Sequence, residues 1–223
     1  VLVDFSPKGM KLNLKLVERQ SVYMFNPGSE ITLTLKEDDK IVFSGPVAVL
    51  RTDGDPDNYV VVVAPIEHNT PRYIAKEERA KRYPLAPPPD INFKHPLTGE
   101  RATLPVIDLA ALGLSIRENS NQAMLLPGLI IEKIELNVLG SPFITFNAQV
   151  VHNREDQDQV TVGLAILDIE VEDHYRLIGL VHRAEDDNAY VRLNKDPEKF
   201  FEFLFNTGFL YPAKYEEVHK QKA

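Results

Sequence analysis

The chain contains no cysteine and no tryptophan. Without cysteine there is no disulfide scaffold, no thiol nucleophile and no thiolate metal site. Without tryptophan, and with eight scattered tyrosines, there is no stacking platform for single-stranded nucleic acid. Positive charge is scarce as well. Lysine and arginine total 25 against 33 acidic residues, a net charge of −8 with a pI near 5.3. That excludes a broad footprint for a nucleic acid polymer or an anionic membrane, while leaving room for a small anion held by local arginines. No apolar run reaches the ~20 residues that a membrane-spanning helix needs. Phosphate-cradling glycine loops, nucleophile elbows and zinc-protease patterns are missing, and the six histidines have no ligand spacing. No cofactor, metal or catalytic group is expected, and a cytoplasmic location fits this composition.

What is present is an ordinary globular mixture, 43% hydrophobic and 26% charged over 223 residues, enough for one large domain or two small ones. Within it two stretches echo each other, "VLVDFSPKGMKL" at the start and "VIDLAALGLSI" further on. Asp4 and Asp108 stand 104 residues apart, as do Gly9 and Gly113. The Pro27–Gly28 and Pro127–Gly128 pairs are 100 residues apart, and Val49 aligns with Val151 at 102. Ordered landmarks at nearly constant spacing read as two copies of one β-rich unit.

Each copy carries strand patterns. Ile31, Leu33 and Leu35 alternate with threonines, and Ile134, Leu136 and Val138 alternate with Lys133, Glu135 and Asn137. This is the period-two signature of half-buried strands, and short strands with regular turn signals suggest a small barrel or sandwich. "YVVVVAPI" and "VTVGLAIL" are the most continuously apolar strands, expected in the cores. Asp53, Asp55 and Asp57 have the opening spacing of a calcium loop. Asn58 and Ala64 occupy the positions that would need glycine and glutamate, so the stretch is a hairpin turn. Helices are predicted over 70–83, with Thr70 as N-cap and Pro71 next; over "EDHYRLIGLVHRA", with Leu177, Leu180 and Val181 on one face; and from the Asp196 cap to the Gly208 stop. In the last of these, Phe200, Phe201, Phe203, Leu204 and Phe205 suit a docking interface.

Repeated in this strand context, Asp-x-Ser-x-x-Gly resembles the PilZ family over about residues 1–183. That family's pattern is an Arg-x-x-x-Arg segment, then Asp/Asn-x-Ser-x-x-Gly, then a late strand with a central glycine. The first copy matches with Asp4, Ser6 and Gly9; its arginine segment and first strand would lie upstream of Val1. The second copy has "KEERAKRYPL" in place of the arginine segment, with Arg82 standing 26 residues before Asp108, and Gly163 in the late strand. It departs from the pattern twice. Glu78 stands where the first arginine belongs, so Arg79 and Arg82 form Arg-x-x-Arg, and Ala110 replaces the serine.

The resemblance implies a mostly β protein, with two six-stranded antiparallel barrels in tandem, each followed by a helix, and a C-terminal helix. The boundaries are a barrel at 1–69 without its N-terminal strand and arginine segment, a helical linker at 70–83, a barrel at 84–183 and a helical extension at 184–223. It implies a non-enzymatic module that senses cyclic di-GMP and relays it by rearranging the two barrels, with Asp4, Ser6, Gly9, Arg79, Arg82, Asp108 and Gly113 at the ligand. Arginine forks grip phosphates and stack on purines, and carboxylate and hydroxyl groups read guanine edges. The same residues also admit a plainer account. Asp4, Ser6 and Gly9 make a good tight turn. The five cations between Arg72 and Arg82 sit on a solvated helix, with Glu78 and Arg82 paired at i,i+4. On that account the two copies bind no nucleotide and form a scaffold for a protein partner, through barrel edges and the Phe-rich tail.

Overall fold

The computed structural model describes residues 1–15, 24–55, 58–66, 82–186 and 191–192. Period-two alternation in the first part of the chain builds β1 (Leu2–Ser6), β2 (Gly9–Leu14), β3 (Glu30–Glu37), β4 (Lys40–Asp55) and β5 (Asn58–Pro65). They form an open antiparallel sheet in the order β1-β2-β5-β4-β3. After the short β6 (Leu85–Ala86) come β7 (Asp90–Lys94), β8 (Arg101–Ala110), β9 (Gly113–Asn119), β10 (Ile130–Val138), β11 (Ser141–Asp156) and β12 (Gln159–Ile169), which close into a barrel. The helix α1 (Val171–Asp186) follows, and β13 (Val191–Arg192) pairs in parallel with β6. No helix among the described residues is long and apolar enough to cross a membrane.

The five strands of the open sheet run in the same order as β8-β9-β12-β11-β10 of the barrel. The difference is β7, which pairs with both β8 and β10 and so closes the ring. Among the described residues no strand bridges β1 and β3. The expectation of two closed barrels is therefore corrected to one barrel and one open sheet, because closure requires a strand bonded to both ends. Of the helices expected after each copy, the second is α1, the one α-helix among the described residues. The helix expected over 70–83 lies outside them except for its last two residues, and there Tyr83 is extended, bridged to Leu109. The C-terminal helix with its phenylalanines also lies outside the described residues.

Both Pro-Gly pairs are turns with glycine in the left-handed region, φ +89° at Gly28 and +98° at Gly128. The Gly28 amide donates to the Val49 carbonyl and the Gly128 amide to that of Val150, each at 2.7 Å. Val49 is thus matched by Val150, one residue short of the match that spacing suggested. Each strand bulges immediately afterwards, which turns Leu50 and Val151 to solvent. The motif glycines behave differently. Neither Gly9 nor Gly113 has a positive φ. A Cβ on Gly9 would lie 2.6 Å from the Val63 carbonyl oxygen, and one on Gly113 would overlap that of Leu164. They allow close cross-strand approach. Gly113→Ala is expected to push β9 from β12 and to destabilise the fold by about 1–3 kcal/mol in urea denaturation.

Inward positions of the barrel strands, among them Ile91, Val106, Leu114, Ile116, Leu136, Ala148, Val150, Val162 and Leu164, form its core. Leu125, Leu126 and Leu129, in the connection from β9 to β10, are fully buried and join that core. A buried connection must have its backbone groups satisfied, and side chains do this. The Glu118 carboxylate accepts from the Met124 and Leu125 amides at 3.2 and 3.4 Å. Asn153 donates to the Leu125 carbonyl at 2.6 Å. The fully buried His95 accepts at Nδ1 from the Leu97 and Thr98 amides and donates from Nε2 to the Met124 carbonyl, all at 3.3 Å.

The open sheet docks on this same connection. Phe43 of β4 is fully buried with its ring against Gly128, and the Ser44 amide donates to the Gly128 carbonyl at 3.0 Å. Gln149 donates to the Ser44 carbonyl at 2.8 Å, and Phe5 stacks on His95 with ring centroids 5.5 Å apart. Two exposed ion pairs cross the joint, Lys40–Glu132 at 2.6 Å and Lys8–Glu155 at 3.0 Å. Exposed pairs fix orientation more than they add stability.

Candidate functional site

Site geometry starts with a bulge. The register of β8 against β9 shifts between Val106 and Asp108, which brings Asp108 opposite Ser115. Leu114 and Ile116 belong to the core, so by alternation Ser115 faces outward, yet it is buried. Arg82 is what it meets there. Mutual backbone hydrogen bonds of 2.9 Å between Tyr83 and Leu109 lay the Arg82 segment along β8. From there Nη1 of Arg82 donates to Asp108 Oδ1 at 3.2 Å and to Ser115 Oγ at 2.5 Å. The Arg82 side chain remains 38% exposed, so the guanidinium is held in place without being enclosed.

This arrangement extends across the barrel. Ser115 pairs with Gly163 on β12, and Gly163 with His152 on β11. A Cβ on Gly163 would overlap the His152 ring, so the glycine is what lets the imidazole lie flat over the sheet. Asp108, Ser115, Gly163 and His152 thus form one row over four strands. The neighbouring row on the same face is Arg117, Thr161 and Arg154, since Arg117 pairs with Thr161 and Thr161 with Arg154.

Of the residues singled out from sequence, the structure brings together Arg82 and Asp108, with Gly113 in the hairpin below them. Arg79 lies outside the described residues. Ala110, at the serine position of the motif, is buried opposite Gly113, and the hydroxyl at Arg82 comes from Ser115. Asp4, Ser6 and Gly9 lie on the open sheet and form no site with these. Asp4 Oδ1 accepts from the Phe5 amide at 2.8 Å and Ser6 Oγ from the Lys8 amide at 3.3 Å, which is local turn chemistry. The residue opposite Asp4 is Lys11, where the barrel has Ser115.

Sequence inspection missed Ser115, His152, Arg117 and Arg154. Gly113, Ser115 and Arg117 already mark one polar face of β9 by alternation. The pairing across β12 to β11 that completes the rows is not a local signal.

A scan of the chain against family models returns one description, PilZ domain, over residues 73–183. Those residues match the PilZ domain. Arg82, Asp108, Ser115 and His152 all lie within the matched residues, and the Asp4 hairpin lies before them. No curated protein matches the chain. Similar solved structures include YcgR from Escherichia coli in complex with c-di-GMP, at 16% identity over 83% of this chain and 78% of that one, TM-score 0.43. MrkH from K. pneumonia in its c-di-GMP complex is 13% identical over 83% and 81%, TM-score 0.43. The inhibitor of motility MotI/DgrA from Bacillus subtilis is 12% identical over 84% and 88%, TM-score 0.41.

Proposed function

We propose that this protein is a non-enzymatic, cytoplasmic receptor for cyclic di-GMP, bound on the outer face of the PilZ barrel. The observation that carries this is the Arg82 guanidinium held on one nitrogen by Asp108 and Ser115. Among the described residues its remaining donors are uncommitted, in the fork geometry that takes a phosphate bidentately. Asp108 presents a second carboxylate oxygen for a guanine edge. The ligand draws the arginine segment onto the barrel and changes how the open sheet sits against it, a population shift between two arrangements.

Calorimetric titration of the full chain with cyclic di-GMP tests this reading. Micromolar or tighter binding is expected. Arg82→Ala and Asp108→Ala each remove a charge-assisted contact of about 1.5–3 kcal/mol, a loss of roughly 10- to 100-fold. Asp4→Ala leaves the affinity unchanged. A second reading, a protein-interaction scaffold, is favoured by β1 and β3 as edge strands of the open sheet. Silence of the wild-type chain toward cyclic di-GMP selects it.

A further inference from the structure

Arg117 and Arg154 have no part in the site so far. They stand two strands apart, about 9–10 Å at normal strand spacing, with Thr161 between them. Both are exposed, and neither forms an ion pair or a side-chain hydrogen bond among the described residues. No register shift separates Arg117 from Ser115, Thr161 from Gly163 or Arg154 from His152, so all six share the outer face that carries the Arg82 guanidinium. The second row lies two residues along the strands from the first, about 7 Å away.

All but one of the acids beside these arginines are committed or turned elsewhere. Glu118 alternates to the inner face and accepts from the Met124 and Leu125 amides. Glu155, also on the other face from Arg154, is paired with Lys8. Asp108 is shared with Arg82, and Asp156, on the same face as Arg154, stands one row beyond it at the end of β11. In a chain of net charge −8 this face gathers three arginines, Arg82, Arg117 and Arg154, against the paired Asp108 and the strand-end Asp156. An unpaired arginine couple costs mutual repulsion that an anion between them removes, and the Thr161 hydroxyl is placed to donate to the same anion.

We infer that Arg117, Thr161 and Arg154 form a second anion subsite, which takes a phosphodiester group while Arg82 holds another part of the same dinucleotide. This rests on the cyclic di-GMP reading above and adds residues outside the sequence motif. It accounts for a site with one motif arginine replaced by Glu78 and the motif serine by Ala110, since the charge missing there is supplied from β9 and β11.

The test is calorimetric titration of the full chain with cyclic di-GMP at low and high salt, for wild type, Arg117→Ala, Arg154→Ala and the control Arg51→Ala on the open sheet. Each barrel variant is expected to bind at least about tenfold more weakly than wild type at low salt and to show a flatter salt dependence. Arg51→Ala is expected to match wild type. Because both arginines are exposed, circular dichroism and the urea midpoint stay at wild-type values, which separates lost contact from lost fold. Wild-type binding that is weakened by Arg82→Ala but unchanged by Arg117→Ala and Arg154→Ala overturns the second subsite and leaves the receptor reading standing. No binding by wild type overturns both.

Discussion

Phe43→Ala is expected to lower the unfolding free energy by about 3–5 kcal/mol, the range for deleting a buried phenyl ring. Phe43 is fully buried although it belongs to the open sheet, because its ring lies on the barrel's turn at Gly128, and a Cβ there would come within 2.6 Å of it. The substitution empties the centre of the joint. It also loosens the frame around the Ser44 amide and carbonyl, which bond to Gly128 and Gln149. Urea denaturation followed by far-UV circular dichroism measures the loss. Phe43→Leu, which keeps most of the volume, is expected to recover more than half of it. A change of 1 kcal/mol or less for Phe43→Ala would mean that the joint does not stabilise the sheet.

Glu118 governs the second large effect. Its carboxylate is buried at the inner end of β9 and holds two amides of the buried connection. Glu118→Ala orphans both, at about 1–3 kcal/mol each, so a loss of roughly 2–4 kcal/mol is expected after some relief from no longer burying a charge. Glu118→Gln keeps an acceptor oxygen and separates the charge from the hydrogen bonds. Burial pushes the Glu118 carboxyl above its ordinary 4.5, against the pull of the two amides. The folded chain therefore holds this proton longer than the unfolded chain. The Glu118 contribution is complete below pH 4.5 and is lost as pH rises through the raised folded value.

His95 has the opposite sign. Burial lowers it below its ordinary 6.5, against the Met124 carbonyl and Glu100, so its contribution is complete above pH 6.5 and is lost as pH falls through the lowered value. In the wild type the two slopes oppose each other. The glutamine variant is expected to show the His95 slope alone, with stability rising steadily from acid to neutral pH. A Gln variant whose urea midpoints run parallel to wild type across that range would remove Glu118 from the pH response.

Much of the barrel was legible in the sequence because period-two alternation reports burial strand by strand. Ile134, Leu136 and Val138 are buried as their spacing required, and the α1 face of Leu177, Leu180 and Val181 packs on the core. The Pro-Gly turns were legible because glycine chemistry is local. The shift from Val151 to Val150 was not, since a bulge adds a residue without a consistent sequence mark. Closure of the first copy is recorded by no residue within its five strands, because it depends on a further strand bonded to both ends. The site divides in the same way. Asp108 and Arg82 belong to a linear motif, whereas Ser115, His152, Arg117 and Arg154 become neighbours only through the registers of β9, β12 and β11. The motif glycines were legible as necessary, and their reason proved to be strand packing.

The β11–β12 hairpin has a mechanical consequence. Arg154 and Thr161 lie on one side of it; Asn153, Glu155 and Val160, by alternation, lie on the other, beside Pro7, Lys8 and Pro65 of the open sheet. The sheet of β9, β12 and β11 is one layer thick here, so its two surfaces share one backbone. Any twist imposed through Arg154 reaches Glu155 across one peptide bond, and from there the Lys8 ammonium. The hairpin is a rocker with a load on each face, and the two loads cannot move independently.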